Sequence, residues 1–155
     1  MSFEIGDAAP DFTMPASGGR TVSLATLRGK PFVLYFYPKA DTPGCTKEAC
    51  AFQEALAPLG KIGVEVIGVS KDKMKPIEKF AEKFGLSFPL ASDHETQVAE
   101  AYGVWVEKSM YGKKYMGLER ATFLIDGVGK IARIWPKVKI EGHAAEVAAA
   151  VASLT

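Results

Sequence analysis

Phe32-Val33-Leu34-Tyr35-Phe36-Tyr37, closed by Pro38, and Val64-Glu65-Val66-Ile67-Gly68-Val69 are the two stretches whose reading decides the fold. Each is a short apolar run rich in β-branched and aromatic residues, the pattern of a strand buried in a sheet. Between them, from about 42 to 59, Ala49, Phe52, Ala55, Leu56 and Leu59 recur at helical spacing. Strand, helix and strand of this length predict a βαβ unit. Its right-handed crossover makes the two strands parallel and lays the helix across one face.

Outward from this unit the pattern keeps alternating. Upstream, Pro10, Pro15 and Gly18-Gly19 mark extended pieces and a hairpin ahead of Ser23-Leu24-Ala25-Thr26-Leu27. Downstream, a helix is predicted over Met74 to Phe84, starting near Pro76 and stopped by Gly85. Phe88-Pro89-Leu90 reads as a short strand, Glu95 to Tyr102 as a short helix, and 104–117 as irregular. Ala121 to Ile125 and Lys130 to Trp135 flank Asp126-Gly127-Val128-Gly129, a strong hairpin signal. An alanine-rich helix follows from about Gly142 to Ala152. This order predicts an α/β, thioredoxin-like fold, a central mixed sheet flanked by helices with an N-terminal extension, and residues 1–155 as a single domain.

Composition narrows the function classes. The 155 residues are 48% hydrophobic, enough for a sizeable core, and 19 Lys plus Arg against 18 Asp plus Glu leave a formal charge of +1. Bulk charge therefore points to neither nucleic acid nor a membrane surface as partner. Lysines at 71, 73, 75, 113 and 114 read as solvated faces without the aromatic interleaving of a nucleic-acid groove. The N-terminal stretch lacks the basic start and apolar core of a signal peptide, and no apolar run reaches the roughly 18 residues of a spanning helix. A cytoplasmic protein is expected. Two cysteines are too few for a secreted disulfide scaffold, so redox or nucleophilic chemistry is favoured over a permanent staple.

Cys45 falls where the first buried strand ends and the helix begins. Free amides and the positive dipole end of a helix stabilise a thiolate, the reactive form of cysteine. Spacing excludes several chemistries: Thr42 and Glu48 occupy the positions that would complete a Cys-x-x-Cys pair, and Ala51 stands where a Cys-x5-Arg loop needs arginine. His94 and His143 are too distant in sequence to complete a short-spaced zinc set, so no metal is expected. On helical geometry the Cα atoms of Cys45 and Cys50 would be about 8.7 Å apart, beyond the roughly 7 Å reach of a disulfide. A bond between them requires the first helical turns to unwind. Alternatively, Cys50 is a small apolar residue on the helix's core face.

The run from Phe36 to Cys50 resembles the active-site region of the peroxiredoxins, and within them the bacterioferritin comigratory protein or PrxQ group. Pro38, Thr42 and Cys45 satisfy the Pro-x3-Thr-x2-Cys signature, and similarity continues through Tyr102-Gly103-Val104, Glu119 to Asp126 and Lys137 to His143. The resemblance implies a thiol peroxidase that reduces hydrogen peroxide and organic hydroperoxides. It makes Cys45 the peroxidatic cysteine, oxidised to a sulfenic acid, and Cys50 the resolving cysteine that condenses with it to a disulfide. A thioredoxin- or glutaredoxin-like reductant would then recycle the pair. By the same resemblance the Thr42 hydroxyl bonds thiolate and peroxide, Pro38 limits solvent, Arg120 supplies a cation, and Gly44 and Cys45 add backbone donors.

Each of these residues also has a plainer role: Thr42 an N-cap, Pro38 a strand stop, Arg120 a surface charge. Glu48, one helical turn beyond Cys45, either orients Arg120 or faces solvent. His143 reads as a capping or packing residue, His94 as an exposed helix start, and Phe80, Phe84, Tyr102 and Trp105 as packing groups. Gln53 stands where relatives often carry arginine. Since resolution occurs within one chain, a monomer suffices. Two other functions fit the same fold: a protein thiol–disulfide oxidoreductase, which the missing Cys-x-x-Cys disfavours, and a non-enzymatic redox sensor or holdase.

Overall fold

Alternate residues of the first buried run face opposite cores: Phe32, Leu34 and Phe36 enter one, Val33, Tyr35 and Tyr37 the other. A strand buried on both faces belongs at the centre of a layered sheet. The computed structural model, which describes residues 3–60 and 64–154 (56–60 as backbone alone), places it there.

In chain order the elements begin with β1 (Thr13–Ala16), β2 (Arg20–Ser23), α1 (Leu24–Leu27), β3 (Phe32–Phe36) and α2 (Pro43–Gly60). They continue with β4 (Glu65–Ser70), α3 (Met74–Lys83), β5 (Leu90–Ser92), α4 (Val98–Ala101), β6 (Trp105–Met110) and β7 (Lys113–Leu118). β8 (Ala121–Ile125), β9 (Ile131–Trp135) and α5 (His143–Leu154) close the fold. The main sheet runs β2-β1-β5-β4-β3-β8-β9. β3 and β4 are parallel, with Phe32 opposite Glu65 and Phe36 opposite Val69, so the predicted βαβ unit is formed. β5 joins β4 in parallel, while β8 pairs antiparallel with β3 and β9 with β8, giving a mixed sheet with helices against it.

Two cores follow from the two faces. One holds Phe36, Tyr102 and Phe123 with α4, and the other holds Tyr35, Phe52, Phe80 and Val147 from β3, α2, α3 and α5. Tyr35 stacks on Phe52 with ring centroids 4.7 Å apart, a contact contributing ~0.5–1.5 kcal/mol beyond area burial. That stack locks the middle of α2 onto β3. The side chains of Leu56 and Leu59, part of the helical periodicity, lie outside the described residues. Gly68 is required at its place in β4, because a β-carbon there would come within 2.7 Å of Tyr35 Cζ.

Three local expectations are corrected. Residues 104–117 are not irregular: most of the stretch forms β6 and β7, an antiparallel ribbon with Met110 opposite Lys113. Tyr111 and Gly112 turn it with φ of 53° and 78°, as a two-residue primed hairpin turn demands. The strand expected over Phe88-Pro89-Leu90 begins only at Leu90, since Pro89 has no N–H and contributes just its carbonyl, to Gly68 N at 3.1 Å. The helix expected from Glu95 to Tyr102 spans only Val98–Ala101. Buried Asp93 accepts from the amides of Val98 at 3.0 Å and Ala99 at 2.8 Å, fixing the start there and leaving exposed His94 in a bend.

Candidate active site

β3 delivers the chain to the carboxyl edge of the parallel strands, where open α/β sheets place their sites. After Tyr37 the chain turns through 38–42, with Asp41 at φ 59°, and enters α2 at Pro43. The Pro43 ring presets the helical φ and gives up no bond, because the first amides of a helix lack intrahelical acceptors. The first such bond is Thr46 N to Thr42 O at 2.8 Å. Gly44 and Cys45 therefore present their amides in the orphan first turn, at the positive end of an 18-residue helix. Cys45 sits there 2% exposed, and both cysteines are free thiols.

Arg120 arrives from the junction between β7 and β8. Its Nη2 donates to Cys45 Sγ at 3.3 Å and its Nη1 to Glu48 Oε1 at 2.6 Å. With its side chain only 17% exposed, Arg120 is a partly buried partner of the thiol rather than a surface charge. Glu48 is 2% exposed and turned inward, so it orients the guanidinium instead of facing solvent. Burial raises the Glu48 carboxyl to about 7, against the downward pull of the Arg120 cation. Its Oε2 has no hydrogen-bond partner among the described residues. Desolvation works to lower Arg120, but its contacts with Glu48 and Cys45 outweigh it and hold the guanidinium firmly cationic.

The remaining predicted residues are distributed as follows. The Thr42 hydroxyl donates its proton to Lys39 O at 2.9 Å rather than to sulfur, which leaves its lone pairs able to accept a further hydrogen bond. Thr42 is the N-cap by its carbonyl, not by its side chain. Pro38 is exposed on the loop leaving β3. A β-carbon on Gly44 would lie 3.3 Å from Ile140 Cδ1 and 3.4 Å from Arg120 Nη2, so glycine lets the helix start pass beneath both. Cys50 is half-buried and belongs to neither core, which removes the reading of it as a core residue. Gln53 binds Ser87 through both ends of its amide, with Nε2 to Oγ at 2.8 Å and Ser87 N to Oε1 at 3.0 Å.

His143 is buried, with Nε2 2.8 Å from Thr122 Oγ1 and its ring edge-on to Phe52 and Trp135. It is the packing residue expected, joining α5 to α2 and β8. The sequence carries no motif at Asp72, and it gives Ile140 only as part of the Lys137 to His143 similarity; the contacts of both at the Cys45 loop are tertiary. Among the described residues no group of three potential ligands could hold a metal, and no helix is long and apolar enough to cross a membrane.

A thiol at a helix start, with a fixed guanidinium on sulfur and free amides alongside, can hold a thiolate and stabilise negative charge leaving an attacked bond. Known proteins share this chain's sequence and shape. Residues 5–134 match the AhpC/TSA family model. A Coxiella burnetii protein is 54% identical over 95% of this chain and 97% of its own. Peroxiredoxin Bcp of Bacillus subtilis is 47% identical over 94% of this chain and 93% of its own. Among solved structures, a Xylella fastidiosa PrxQ superposes with a TM-score of 0.92 at 35% identity, covering 99% of this chain and 98% of its own. A Xanthomonas campestris bacterioferritin comigratory protein, whose alkyl peroxide reduction activity was the subject of its structure, gives 0.87 at 40% identity over 92% of this chain and 91% of its own.

Proposed function

Because the chain belongs to the AhpC/TSA family and is a thiol-dependent peroxidase of the peroxiredoxin Bcp/PrxQ type, we propose that Cys45 is the residue that meets the peroxide and Cys50 the one that resolves it. The observation that supports this assignment is the Arg120 Nη2 to Cys45 Sγ contact of 3.3 Å at the start of α2.

The Cys45 thiolate attacks the nearer oxygen of ROOH; an S–O bond forms, the O–O bond breaks, and ROH leaves as the alkoxide takes up a proton. Arg120 and the amides of Gly44 and Cys45 face the charge that develops on the oxygens, while Thr42 accepts from the hydroperoxide hydrogen. The Cys50 thiol then attacks the sulfenic sulfur, expelling water and leaving the Cys45–Cys50 disulfide. A dithiol protein of the thioredoxin type takes over the bond by exchange and departs oxidised. Hydrogen peroxide and organic hydroperoxides are the substrates. The protein works as a monomer within the cytoplasm, since both sulfurs of the cycle lie in one chain and depend on a reducing thiol pool.

Peroxide consumption with a dithiol reductant, compared between the native protein and Cys45→Ser, tests the assignment. Turnover is expected only with Cys45 present, and unchanged turnover in the variant would overturn it. Insulin-disulfide reduction measured alongside separates this reading from a general thiol–disulfide oxidoreductase, for which the relative rates would be inverted.

A further inference from the structure

The loop that carries Pro38 and Thr42 past Cys45 is pinned from outside at a buried corner. Ala40, 9% exposed, donates its amide to Asp72 Oδ2 at 2.7 Å, a short charge-assisted bond linking positions 32 residues apart. Asp72 is itself fixed from two strands. Ser70 Oγ, at the buried end of β4, donates to the same Oδ2 at 2.8 Å and accepts from Asp72 N at 3.3 Å. Ser92 Oγ, at the end of β5, donates to the Asp72 carbonyl at 2.6 Å. Ser70 and Ser92 are 0% and 4% exposed, and Asp93 N closes the strand ends onto Ser70 O at 2.8 Å.

We infer that Asp72 is a positioning residue for peroxide reduction: through the Ala40 amide it fixes the 38–42 loop so that the Thr42 hydroxyl stands where a hydroperoxide meets Cys45 Sγ. The loop needs this hold. Asp41 takes a left-handed φ of 59° without being glycine, a conformation the chain leaves unless neighbours over-determine it. A second tie from the loop to a remote side chain among the described residues, Lys83 to Asp41 at 3.0 Å, is solvent-exposed on both partners and worth little. Thr42 Oγ1 in turn takes its direction from the Lys39 carbonyl, one residue from the pinned corner. Arg120 is held by Glu48, and the body of α2 by Phe52 on Tyr35 and Gln53 on Ser87, none of them through Asp72, so losing the pin disturbs the peroxide's position and spares the sulfur itself.

This inference rests on the peroxidase assignment, and its test separates the two. The second-order rate of Cys45 oxidation by peroxide and the rate of Cys45 alkylation by iodoacetamide are measured in the native protein and in Asp72→Ala, Asp72→Asn and Ser70→Ala. Asp72→Ala is expected to slow oxidation about 10- to 100-fold, the cost of a reacting group displaced by about 1 Å. Its alkylation rate should stay within about threefold. Asp72→Asn keeps an acceptor oxygen for Ala40 N and should recover oxidation to within about threefold. If Asp72→Ala does not fold, Ser70→Ala decides, with slower oxidation and unchanged alkylation expected. Native-like oxidation in Asp72→Ala or Ser70→Ala, or a parallel loss of both reactions that Asn does not rescue, would overturn the role. A native protein inert to peroxide would instead overturn the peroxidase assignment.

Discussion

Arg120 Nη2 donates to Cys45 Sγ at 3.3 Å across 75 residues of sequence, while the same guanidinium holds Glu48. This fork ties the start of α2 to the β7–β8 junction and sets a cation on the sulfur, where the proposed assignment has it meet the peroxide as well. Replacing Arg120 by Met should lower kcat/KM for peroxide about 10²- to 10³-fold, the usual loss for one transition-state donor. Arg120→Lys should recover little, because an ammonium cannot reproduce the planar two-armed contact. Stopped-flow oxidation of Cys45 measures both.

Glu48 gives the site a pH-dependent stability. Its carboxyl, ordinarily near 4.5, is raised to about 7 in the fold by burial, with Arg120 pulling the other way. Between those values the folded chain keeps a proton that the unfolded chain has released. The contribution is therefore complete below pH 4.5, declines as pH rises towards 7, and is flat above. Glu48→Gln should remove that decline, so the difference in Tm between variant and native protein should shift in the variant's favour from pH 5 to pH 7.5.

His143 acts in the opposite sense. Burial lowers its imidazole from the ordinary 6.5, with Arg120 adding to the shift and Glu146 opposing it. Its stability is complete above pH 6.5 and is lost as pH falls through the lowered value, because only the unfolded chain gains the proton easily. His143→Phe should lack this acid loss. At pH 7.5 it should be less stable by about 1–3 kcal/mol, since the Thr122 hydroxyl loses its partner. Chemical denaturation at pH 5.5 and 7.5 separates the two effects.

Gly68→Ala tests the packing behind the thiol. The added methyl would lie 2.7 Å from Tyr35 Cζ and 2.8 Å from Leu90 Cδ2, both in the core. Overpacking there should cost about 1–3 kcal/mol in urea denaturation. Because Tyr35 stacks on Phe52 of α2, Cys45 alkylation should also quicken as the helix loosens.

What the sequence made legible followed from strong local signals. The runs around Val33 and Val66 and the Asp126-Gly127 turn each carry a periodicity or turn chemistry that tertiary contacts only reinforce. The β6–β7 ribbon escaped because Tyr111, Met110, Tyr115 and Met116 are exposed, leaving little apolar alternation; Gly112 was the one local clue. The short α4 is legible as a helix, but its start at Val98 is not, because Asp93 binds the amides of Val98 and Ala99 from several residues upstream. Cys45, Arg120 and Glu48 were legible as candidates through family resemblance and helical spacing, but the inward turn of Glu48 depends on where Arg120 docks. Asp72 was illegible altogether, since its task exists only once β4 stands beside β3.

The two cysteines are free within one wound helix, Cys45 on the buried face beneath Arg120 and Cys50 half-buried about 1.4 turns on. Beyond them, Phe52 and Gln53 anchor α2 to Tyr35 and Ser87, so the opening that the proposed Cys45–Cys50 bond requires would be confined to the turns before these anchors. The reduced protein, treated with one equivalent of peroxide and examined by intact and peptide mass spectrometry, should lose two hydrogens and yield a Cys45–Cys50 linked peptide. A stable gain of one oxygen on Cys45 with Cys50 still free would contradict this.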